Sequence, residues 1–317
     1  MYAKEFFSNI SWKTLRMMIS MITFLVDGIN ISWHFPEVIR QLNPEEIAII
    51  HVPSFDFELG PGFHFSPGLS STLSTLARRH FRTTYRVSVI LNSMGIINKR
   101  LTDFDSVLML LLTIWIEKNL PLIELYDMLR GSLKIRYKVL PLLEPPSYTI
   151  IETKSQVVDP LSYMAFDGEE IKKIKIFAKD SEVSEIAKEV MEESSRVVLY
   201  ETSLLTMILI REISEVRKLL EKHQGEIIYI LPHRLTKLDK ALLARDKLSQ
   251  DILGAIESLQ DQVDIVTFDS KETEVIEKAQ ELKVTLYPIS YNFDTIEDKK
   301  RTIGDILNVI MREKGEE

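Results

Sequence analysis

The sequence predicts an α/β protein with a mainly parallel central sheet. The first observation is a continuous apolar run, Ile47–Ile50, which is the pattern of a strand buried on both faces of such a sheet. The second is that strand and helix patterns alternate over most of the chain, as in consecutive βαβ units. The third is that the chain carries no internal repeat and no flexible linker. We therefore expect a Rossmann-like three-layer fold, formed as one domain by residues 17–317.

Each predicted strand is a short apolar run, and each predicted helix has apolar residues at helical spacing or a capping signal. The helix that starts near Leu69 shows both signals, because Ser66-Pro67 supplies a cap and a proline for its first turn. The expected strands are Met21–Val26, Glu46–Val52, Arg196–Leu199, Ile227–Leu231, Asp264–Phe268 and Val284–Pro288. The expected helices are Trp33–Leu42, Leu69–Arg79, Asp103–Leu129, a helix after Ser203, Leu248–Leu259, Glu272–Leu282 and Lys299–Met311.

The parallel pattern lapses at about residues 100–180, where we expect an inserted α+β subregion. Its helical part is too apolar for an exposed helix, and the face from Leu108 to Trp115 is explained by core packing or by a homodimer interface. Two stretches after it, Tyr137–Ile151 and Lys172–Phe177, are interpreted as strands of a small antiparallel insert.

Composition limits the possible partners and sites. The 317 residues include 45% hydrophobic and 27% charged residues, which is ordinary for a globular protein. A formal net charge of -8 argues against binding along a nucleic-acid backbone. Because there is no cysteine, disulfides and thiolate sites are excluded, and a metal must use oxygen or histidine ligands.

The N-terminal region predicts no membrane span. The apolar stretch Met17–Val26 is interrupted by Asp27 and is far shorter than the roughly 20 residues that cross a bilayer. We therefore expect a cytoplasmic protein. Residues 1–16 are predicted to be an amphipathic extension, either packed on the domain or associated with a membrane surface.

The loop after the second strand is the first candidate site, because open α/β sheets bind ligands at the carboxyl ends of their strands. Asp56 follows this strand and is a candidate ligand for a divalent cation, although an aspartate there also caps turns. His64, in the same region, is either a ligand-binding residue or a hydrogen-bonded structural histidine. No phosphate-binding glycine motif follows a strand, and no HExxH metal motif is present.

Two further sets of polar residues lie at predicted helix starts. Asp103 and Asp105 are interpreted either as ligand-binding carboxylates or as residues that cap the following helix. The hydroxyl residues that follow Leu199 could donate hydrogen bonds to a ligand or cap their own helix, and they are Thr202, Ser203 and Thr206.

Six blocks, in this order, resemble the 2-phospho-L-lactate transferase (CofD-like) family. They are NPEEIAIIHVPSFDF, GFHFSPGLSSTLSTLA, RLTDFDSVLM, KVLPLLEPPSYTIIET, SRVVLYETSLLTMI and DIVTFDSKETEVIEKAQELKVTLYP. The resemblance spans about Met18–Met311 and rests on block order and hydrophobic pattern. It implies a sheet that binds a guanine nucleotide donor and the deazaflavin Fo. It also implies Mg²⁺-dependent transfer of phospholactate in coenzyme F-420 biosynthesis, with Mg²⁺ lowering charge repulsion at the diphosphate.

The first family motif is largely replaced. The family's SGGTGTPK turn is VDGINISW here, so that only Gly28 is kept among the glycines. Asn30 tolerates positive φ better than most residues, whereas the bulky Ile29 and Ile31 are poor substitutes where backbone must approach phosphate. The resemblance implies ligand-binding roles for Gly28 and Asn30.

Several acidic residues of the family motifs are also replaced in this chain. At the family's NTGDD loop, Phe55 takes the first acidic position and Asp56 the second, so the resemblance assigns Asp56 the catalytic and metal-binding roles. The SPDLDT block becomes SPGLSS, in which Ser66 is kept as a ligand contact while Gly68 and Ser70 replace aspartates. His64 matches a family histidine, and Asp103 and Asp105 match a GDRD-like block with Phe104 at the arginine.

The family's GPSNP loop becomes YETSL, in which Tyr200 replaces glycine and Glu201 replaces proline. Bulk and negative charge there disfavour a diphosphate. Three interpretations follow. Two of them accept the resemblance: a transferase with a remodelled site, or a catalytically silent paralogue that serves as a ligand-binding or regulatory protein-interaction module. An unrelated Rossmann-like nucleotide-binding enzyme is the third interpretation.

Overall fold

The computed structural model describes residues 21–30, 34–59, 62–78, 84–95, 99–165, 169–178, 180–278 and 281–312. The predicted extension at residues 1–16 lies outside these ranges. So do Trp33, where the first helix was predicted to start, and Arg79, where the second was predicted to end. Among the described helices, none combines the length and the apolar character that crossing a membrane requires.

The described strands, in chain order, are β1 (Met21–Val26), β2 (Ile47–His51), β3 (Phe57–Glu58), β4 (His64–Phe65), β5 (Lys138–Pro141), β6 (Leu143–Glu144), β7 (Tyr148–Glu152), β8 (Val157–Val158), β9 (Lys173–Phe177), β10 (Glu182–Val183), β11 (Ser194–Tyr200), β12 (Glu226–Ile230), β13 (Ile265–Asp269) and β14 (Thr285–Ile289). The described helices are α1 (Phe35–Arg40), α2 (Pro67–Ala77), α3 (Arg86–Ser93), α4 (Asp103–Glu117), α5 (Leu122–Leu133), α6 (Pro160–Ala165), α7 (Glu185–Glu193), α8 (Leu204–Glu212), α9 (Ser214–Glu221), α10 (Lys237–Arg245), α11 (Ile252–Leu259), α12 (Thr273–Lys278) and α13 (Ile296–Met311).

The predicted fold class is confirmed by a central sheet of seven strands in the order β14-β13-β12-β11-β1-β2-β5. Every neighbouring pair in it is parallel. The chain first moves from β1 through β2 to β5 on one side and then returns to β11 on the other side of β1. The direction of strand order therefore reverses between β1 and β11, where doubly wound sheets open a crevice at the carboxyl ends of the strands.

Helices cover both faces of this sheet, which explains why its strands are continuous apolar runs. In β1, Leu25 packs into the cluster formed with α7 to α12, whereas Phe24 and Val26 pack into the cluster with α1, α2, α4, α5 and α13. All three side chains are completely buried. The alternation of side chains along a strand thus gives each residue of β1 a core on one face or the other.

One part of the predicted insert was assigned wrongly. The residues 138–141 form β5, the parallel edge strand beside β2, with Ala48 opposite Lys138 and His51 opposite Pro141. An edge position accommodates Pro141, because a proline has no N–H to donate to a further strand. The antiparallel part of the prediction is confirmed for β7, which pairs with β8 and β9.

The predicted helical region Asp103–Leu129 is two helices, α4 and α5, because Pro121 precedes the second and interrupts the first pattern. Leu108 and Leu112 of α4 are buried in the core, which supports the core-packing interpretation of this apolar helix. The homodimer stays a prediction. The single helix predicted after Ser203 is likewise two helices, α8 and α9, which are separated at Ile213. Among the described helices, four short ones that we did not predict are α3, α6, α7 and α10.

Candidate site at the carboxyl ends of the central strands

Three loops meet at the carboxyl edge of the sheet, because β1, β2 and β11 are parallel neighbours that end together. Residues 27–30 follow β1, residues 52–56 follow β2, and residues 201–203 lead from β11 into α8. Candidate residues predicted from the sequence lie in all three loops. The structure shows how those residues are joined.

Asp27 lies at the centre of this edge and was missed by the sequence analysis. It is 1% exposed. Its Oδ2 accepts hydrogen bonds from the backbone N–H of Ser203 at 2.6 Å and from the Thr206 hydroxyl at 3.0 Å. Its Oδ1 accepts from the Ile29 backbone N–H at 3.0 Å. Burial raises the pKa of Asp27 to about 6, while these donors favour the charged form.

The Asp27 cluster extends to the loop after β2. Ser54 and Thr206 share a hydrogen bond of 2.8 Å between their hydroxyl oxygens. When Asp27 is ionised, Thr206 donates its proton to the carboxylate, so Ser54 must be the donor to Thr206. Asp27 therefore ties the ends of β1, β2 and β11 into one buried polar cluster. Its position directly after β1 was the available signal in the sequence, since Asp56 was selected by the same reasoning.

A second carboxylate, Asp239, also binds the start of α8. Asp239 is fully buried in α10, and its Oδ1 accepts from the Ser203 hydroxyl at 2.6 Å and from the Leu204 backbone N–H at 2.8 Å. Its Oδ2 accepts from Thr236 in a capping box, which holds the aspartate in place. The T-x-x-D pattern of this capping box was the signal that would have predicted α10.

The N-terminal backbone donors of α8 are thus bound by groups of the same chain. Ser203 donates to Asp27, Leu204 donates to Asp239, and Leu205 donates to the Ser203 hydroxyl at 3.2 Å. In many α/β proteins these donors and the positive end of the helix dipole hold a ligand phosphate. Two aspartates hold that position in this structure.

The predicted ligand-binding hydroxyl residues lie in this cluster. Ser203 caps α8, as the capping interpretation predicted, and Thr206 donates to Asp27. Thr202 is fully buried, and its hydroxyl oxygen has no hydrogen-bond partner among the described residues. In the loop after β1, the amide nitrogen of Asn30 is likewise buried and without a partner in the described part of the chain.

Gly28 is held by close packing on α2. Its φ is +76°, a conformation that glycine adopts without strain. A Cβ added there would lie 2.0 Å from the carbonyl oxygen of Gly68, and a Cβ on Gly68 would lie 1.9 Å from the carbonyl oxygen of Asp27. The two glycines therefore let the loop after β1 contact the first turn of α2.

Asp56 is buried in a separate polar group near the end of β2. It is 6% exposed, and its Oδ1 accepts from the Ser66 hydroxyl at 2.8 Å. The Ser66 hydroxyl also accepts from the Leu69 backbone N–H and so caps α2. Burial raises the pKa of Asp56 well above its ordinary value, because one hydroxyl donor does not offset the loss of water.

His51 and Tyr126 lie in the same part of the core. The Nδ1 of His51 and the hydroxyl of Tyr126 are 3.1 Å apart. Burial lowers the pKa of His51 to about 3, so the imidazole is neutral, and its Nε2 has no partner among the described residues. Burial raises the pKa of the Tyr126 hydroxyl well above its ordinary value.

The other predicted residues lie farther along the chain on α4 and its neighbours. His64 is half-buried, its backbone N–H donates to Thr113, and burial lowers the pKa of its side chain. Thr102 and Asp105 form a capping box at the start of α4, which confirms the capping interpretation, and Asp105 also accepts from the Ser70 hydroxyl. Hydrogen bonds from Thr84 and from backbone N–H groups lower the pKa of Asp103.

Glu201, at the position of the family's proline, is 2% exposed and has φ +48°. One of its carboxylate oxygens lies 3.3 Å from Nε2 of His34. The ring of Tyr200 packs on Phe35 with 4.6 Å between centroids. Both replacements in this loop are therefore built into the core, and Glu201 adds a third acidic side chain at this edge of the sheet.

The acidic residues that the structure describes do not assemble into a metal centre. Within the described ranges, no three histidine, aspartate or glutamate side chains are grouped so that they could hold a metal ion. Asp56 is a lone carboxyl bound by a serine hydroxyl, whereas Mg²⁺ requires several oxygen ligands. The described surroundings of Asp56 do not fit Mg²⁺, which stays a prediction.

Comparison with known proteins shows the fold. No family model matches the chain, and no curated protein matches it in sequence. Two crystal structures of the Bacillus halodurans protein BH3568 are similar to it. One has a TM-score of 0.55 at 14% identity and covers 92% of this chain and 98% of its own. The other, described as a member of the UPF0052 family, has a TM-score of 0.58 at 12% identity, with coverages of 92% and 99%. At such identities the likeness shows a shared fold alone.

Proposed function

We propose that this chain is a divergent relative of 2-phospho-L-lactate transferase that has lost phospholactate transfer. It acts instead as a ligand-binding or regulatory protein-interaction module. The relationship is supported by the sequence blocks and by the shared fold, since UPF0052 is the family to which 2-phospho-L-lactate transferase belongs. The loss of transfer is supported chiefly by one observation: Asp27 and Asp239 bind the start of α8.

Charge repulsion reinforces this observation. A nucleotide diphosphate would have to displace both aspartates from their backbone donors and would also approach Glu201. Bringing a negatively charged diphosphate close to these carboxylates in a buried site costs roughly several kcal/mol, because little water is present to screen the repulsion. The guanine nucleotide donor is therefore disfavoured at the position that the resemblance assigns to it.

The resemblance also requires an ionised Asp56 that binds Mg²⁺. Its raised pKa instead favours a protonated carboxyl, which accepts a hydrogen bond from Ser66. A neutral carboxyl is a poor ligand for a hard cation. This supports the loss of the catalytic role that the resemblance implies for Asp56.

The experiment is a transferase assay on the purified full chain with Mg²⁺, Fo and the guanylylated phospholactate donor. We expect no GMP release and no thermal shift with GDP or Fo. GMP release that Asp56→Ala abolishes would instead establish the transferase with a remodelled site. Asp127→Ala is the matched control, because this carboxylate is exposed on α5 and pairs with Arg130 in the same helix.

A further inference from the structure

We propose that the outer face of α4 is a homodimer interface, on which a second copy of this chain packs its own α4 antiparallel. The outer face is the side of α4 that carries Val107 and Ile114, away from Leu108 and Leu112, which pack in the core. The dimer goes beyond the proposed function, because it would form whether or not the chain transfers phospholactate.

The first argument is that α4 is apolar all round, although its outer face is open to solvent. The stretch between Asp105 and Glu117, SVLMLLLTIWI, contains no charged residue. A helix that is apolar on every side is normally buried on every side. In this structure Val107 is 47% exposed and Ile114 is 41% exposed. The outer face is therefore more apolar than contact with water alone would favour.

The second argument is the extent of this apolar surface, which continues onto α3. Leu91 of α3 and Met109 of α4 pack in one core cluster, so the two helices are neighbours. On the α3 side, Ile90 is 59% exposed and Met94, directly after the helix, is 66% exposed. Because α4 has 15 residues, it is roughly 22 Å long, and two helices side by side are roughly 20 Å wide. A second copy would bury on the order of 600 Å² of each chain there, the lower end for a specific dimer.

The third argument is that the outer face complements itself when two copies are antiparallel. Helical spacing places Asp103, Val107, Ile114 and Lys118 on the same side of α4. An antiparallel pair about a two-fold axis sets Asp103 opposite Lys118 of the second copy, and Val107 opposite its Ile114. Apolar side chains then meet in the middle of the interface, and opposite charges meet at both ends.

Other occupants fit the outer face less well. Helices that lie on a membrane carry Lys and Arg beside their apolar face, whereas the charged residues within α4 are Asp103, Asp105 and Glu117. The formal net charge of -8 also repels anionic headgroups. An unlike protein is usually selected by charged groups, and the centre of the outer face has none. Apolar interfaces of this kind are typical of permanent homodimers.

The first test measures the molar mass of the purified full chain by sedimentation equilibrium at several protein concentrations. We expect twice the 36.7 kDa of the single chain. Ile114→Glu should raise the Kd of the dimer at least about a hundredfold, because the interface would bury an unpaired charge in each half. Ile296→Glu is the matched control, since Ile296 is 74% exposed at the start of α13, and this variant should stay dimeric.

The second test locates the two-fold axis. The chain has no cysteine, so a single introduced cysteine can be cross-linked only to a second copy. Leu111 lies near the middle of the proposed helix pair, and a short bis-maleimide should therefore convert Leu111→Cys into a covalent dimer. Val157→Cys, at an exposed position on β8, should give no such product. Lys118→Glu should weaken the dimer about tenfold, because it places like charges opposite each other at both ends.

If Ile114→Glu fails to fold, Val107→Glu places the same charge on the facing position, and the same loss of the dimer is expected. A chain that is monomeric at every concentration overturns the proposal, whether it then binds vesicles of anionic lipid or another protein. A dimer that survives a folded Ile114→Glu or Val107→Glu variant, or that Leu111→Cys does not cross-link, also overturns it. GMP release in the transferase assay would overturn the proposed function and leave the dimer unaffected.

Discussion

Asp27 and Asp56 lie beyond neighbouring parallel strands and are both buried, yet their surroundings stabilise the charged form of the carboxyl group to different extents. Asp27 accepts three hydrogen bonds, two of them from backbone N–H groups, and its pKa rises only to about 6. The Asp56 side chain accepts one hydrogen bond, from Ser66, and its pKa rises well above the ordinary value. Hydrogen-bond donors to the charged form thus offset part of the pKa rise that burial causes, and Asp27 has more of them than Asp56.

The difference has a structural consequence at this edge of the sheet. An ionised Asp27 complements the positive end of α8 and holds three strand ends together. Asp56, whose pKa burial raises, belongs to the polar part of the core beside α2. Donors that favour the charged form are therefore more numerous around Asp27 than around Asp56.

The largest expected effect comes from Gly68→Ala, which tests whether the two regions are rigidly packed together. The new Cβ would lie 1.9 Å from the carbonyl oxygen of Asp27, so the backbone must move. We expect a loss of more than about 3 kcal/mol in the free energy of unfolding, measured by urea denaturation.

Gly131→Ala is the control for this change, because a Cβ there, in helix α5, meets no atom within 4 Å. Alanine is the better helix former, so this variant should gain up to about 1 kcal/mol. A mild effect of Gly68→Ala, similar to the control, would show that the loop after β1 can move away from α2.

Asp56→Asn should stabilise the protein at neutral pH. Burial raises the pKa of Asp56 in the folded protein above the 3.8 of the unfolded chain, so this group makes wild-type stability fall as the pH rises above 3.8. Asparagine removes this cost and can still accept from Ser66. We expect an advantage at neutral pH that exceeds the effect at Asp27, since Asp56 has fewer donors.

Urea denaturation over a pH series measures this advantage, which should disappear as the pH falls below the ordinary carboxyl pKa. A less stable Asp56→Asn protein at neutral pH would mean that Asp56 is ionised and partnered. If Mg²⁺ stabilised the wild-type protein but not the variant, the prediction that Asp56 binds a metal would be supported.

Asp27→Asn should remove a smaller pH dependence. The folded pKa of about 6 lies above the ordinary 3.8, so wild-type stability decreases as pH rises from the lower value to the higher. This difference of about two pKa units corresponds to about 3 kcal/mol. The variant should lack that decrease in the same pH series.

The wild-type and Asp27→Asn curves are compared by their difference, because all other titrating groups are shared. A difference that does not change with pH between the two pKa values would contradict a raised pKa for Asp27. An opposite slope would mean that its donors lower the pKa more than burial raises it.

The smallest effect is expected for Ser66→Ala. This change removes the cap of α2 and the donor to Asp56, and loss of such a cap costs about 1 kcal/mol. Thermal unfolding should show a modest decrease in Tm. Combining Ser66→Ala with Asp56→Asn tests the pair, since non-additive changes in the free energy of unfolding indicate that the two side chains act together.

The sequence by itself determined the sheet and much of its surroundings. Apolar runs such as Ile47–Ile50 can be buried only between two layers of helices, so the strand patterns were enough to predict a parallel sheet covered on both faces. Local signals also identified caps, because Ser66, Ser203 and Thr102 bond to backbone groups within a few residues.

Only the tertiary structure decided what the polar loops do. Asp27 meets Ser203 across 176 positions of the chain, and Ser203 meets Asp239 across a further 36. No local pattern encodes such pairs, which depend on the strand order that places β11 beside β1. The sequence could mark Asp56 as acidic, but whether a buried carboxyl is charged depends on the donors around it, and folding alone brings those donors together.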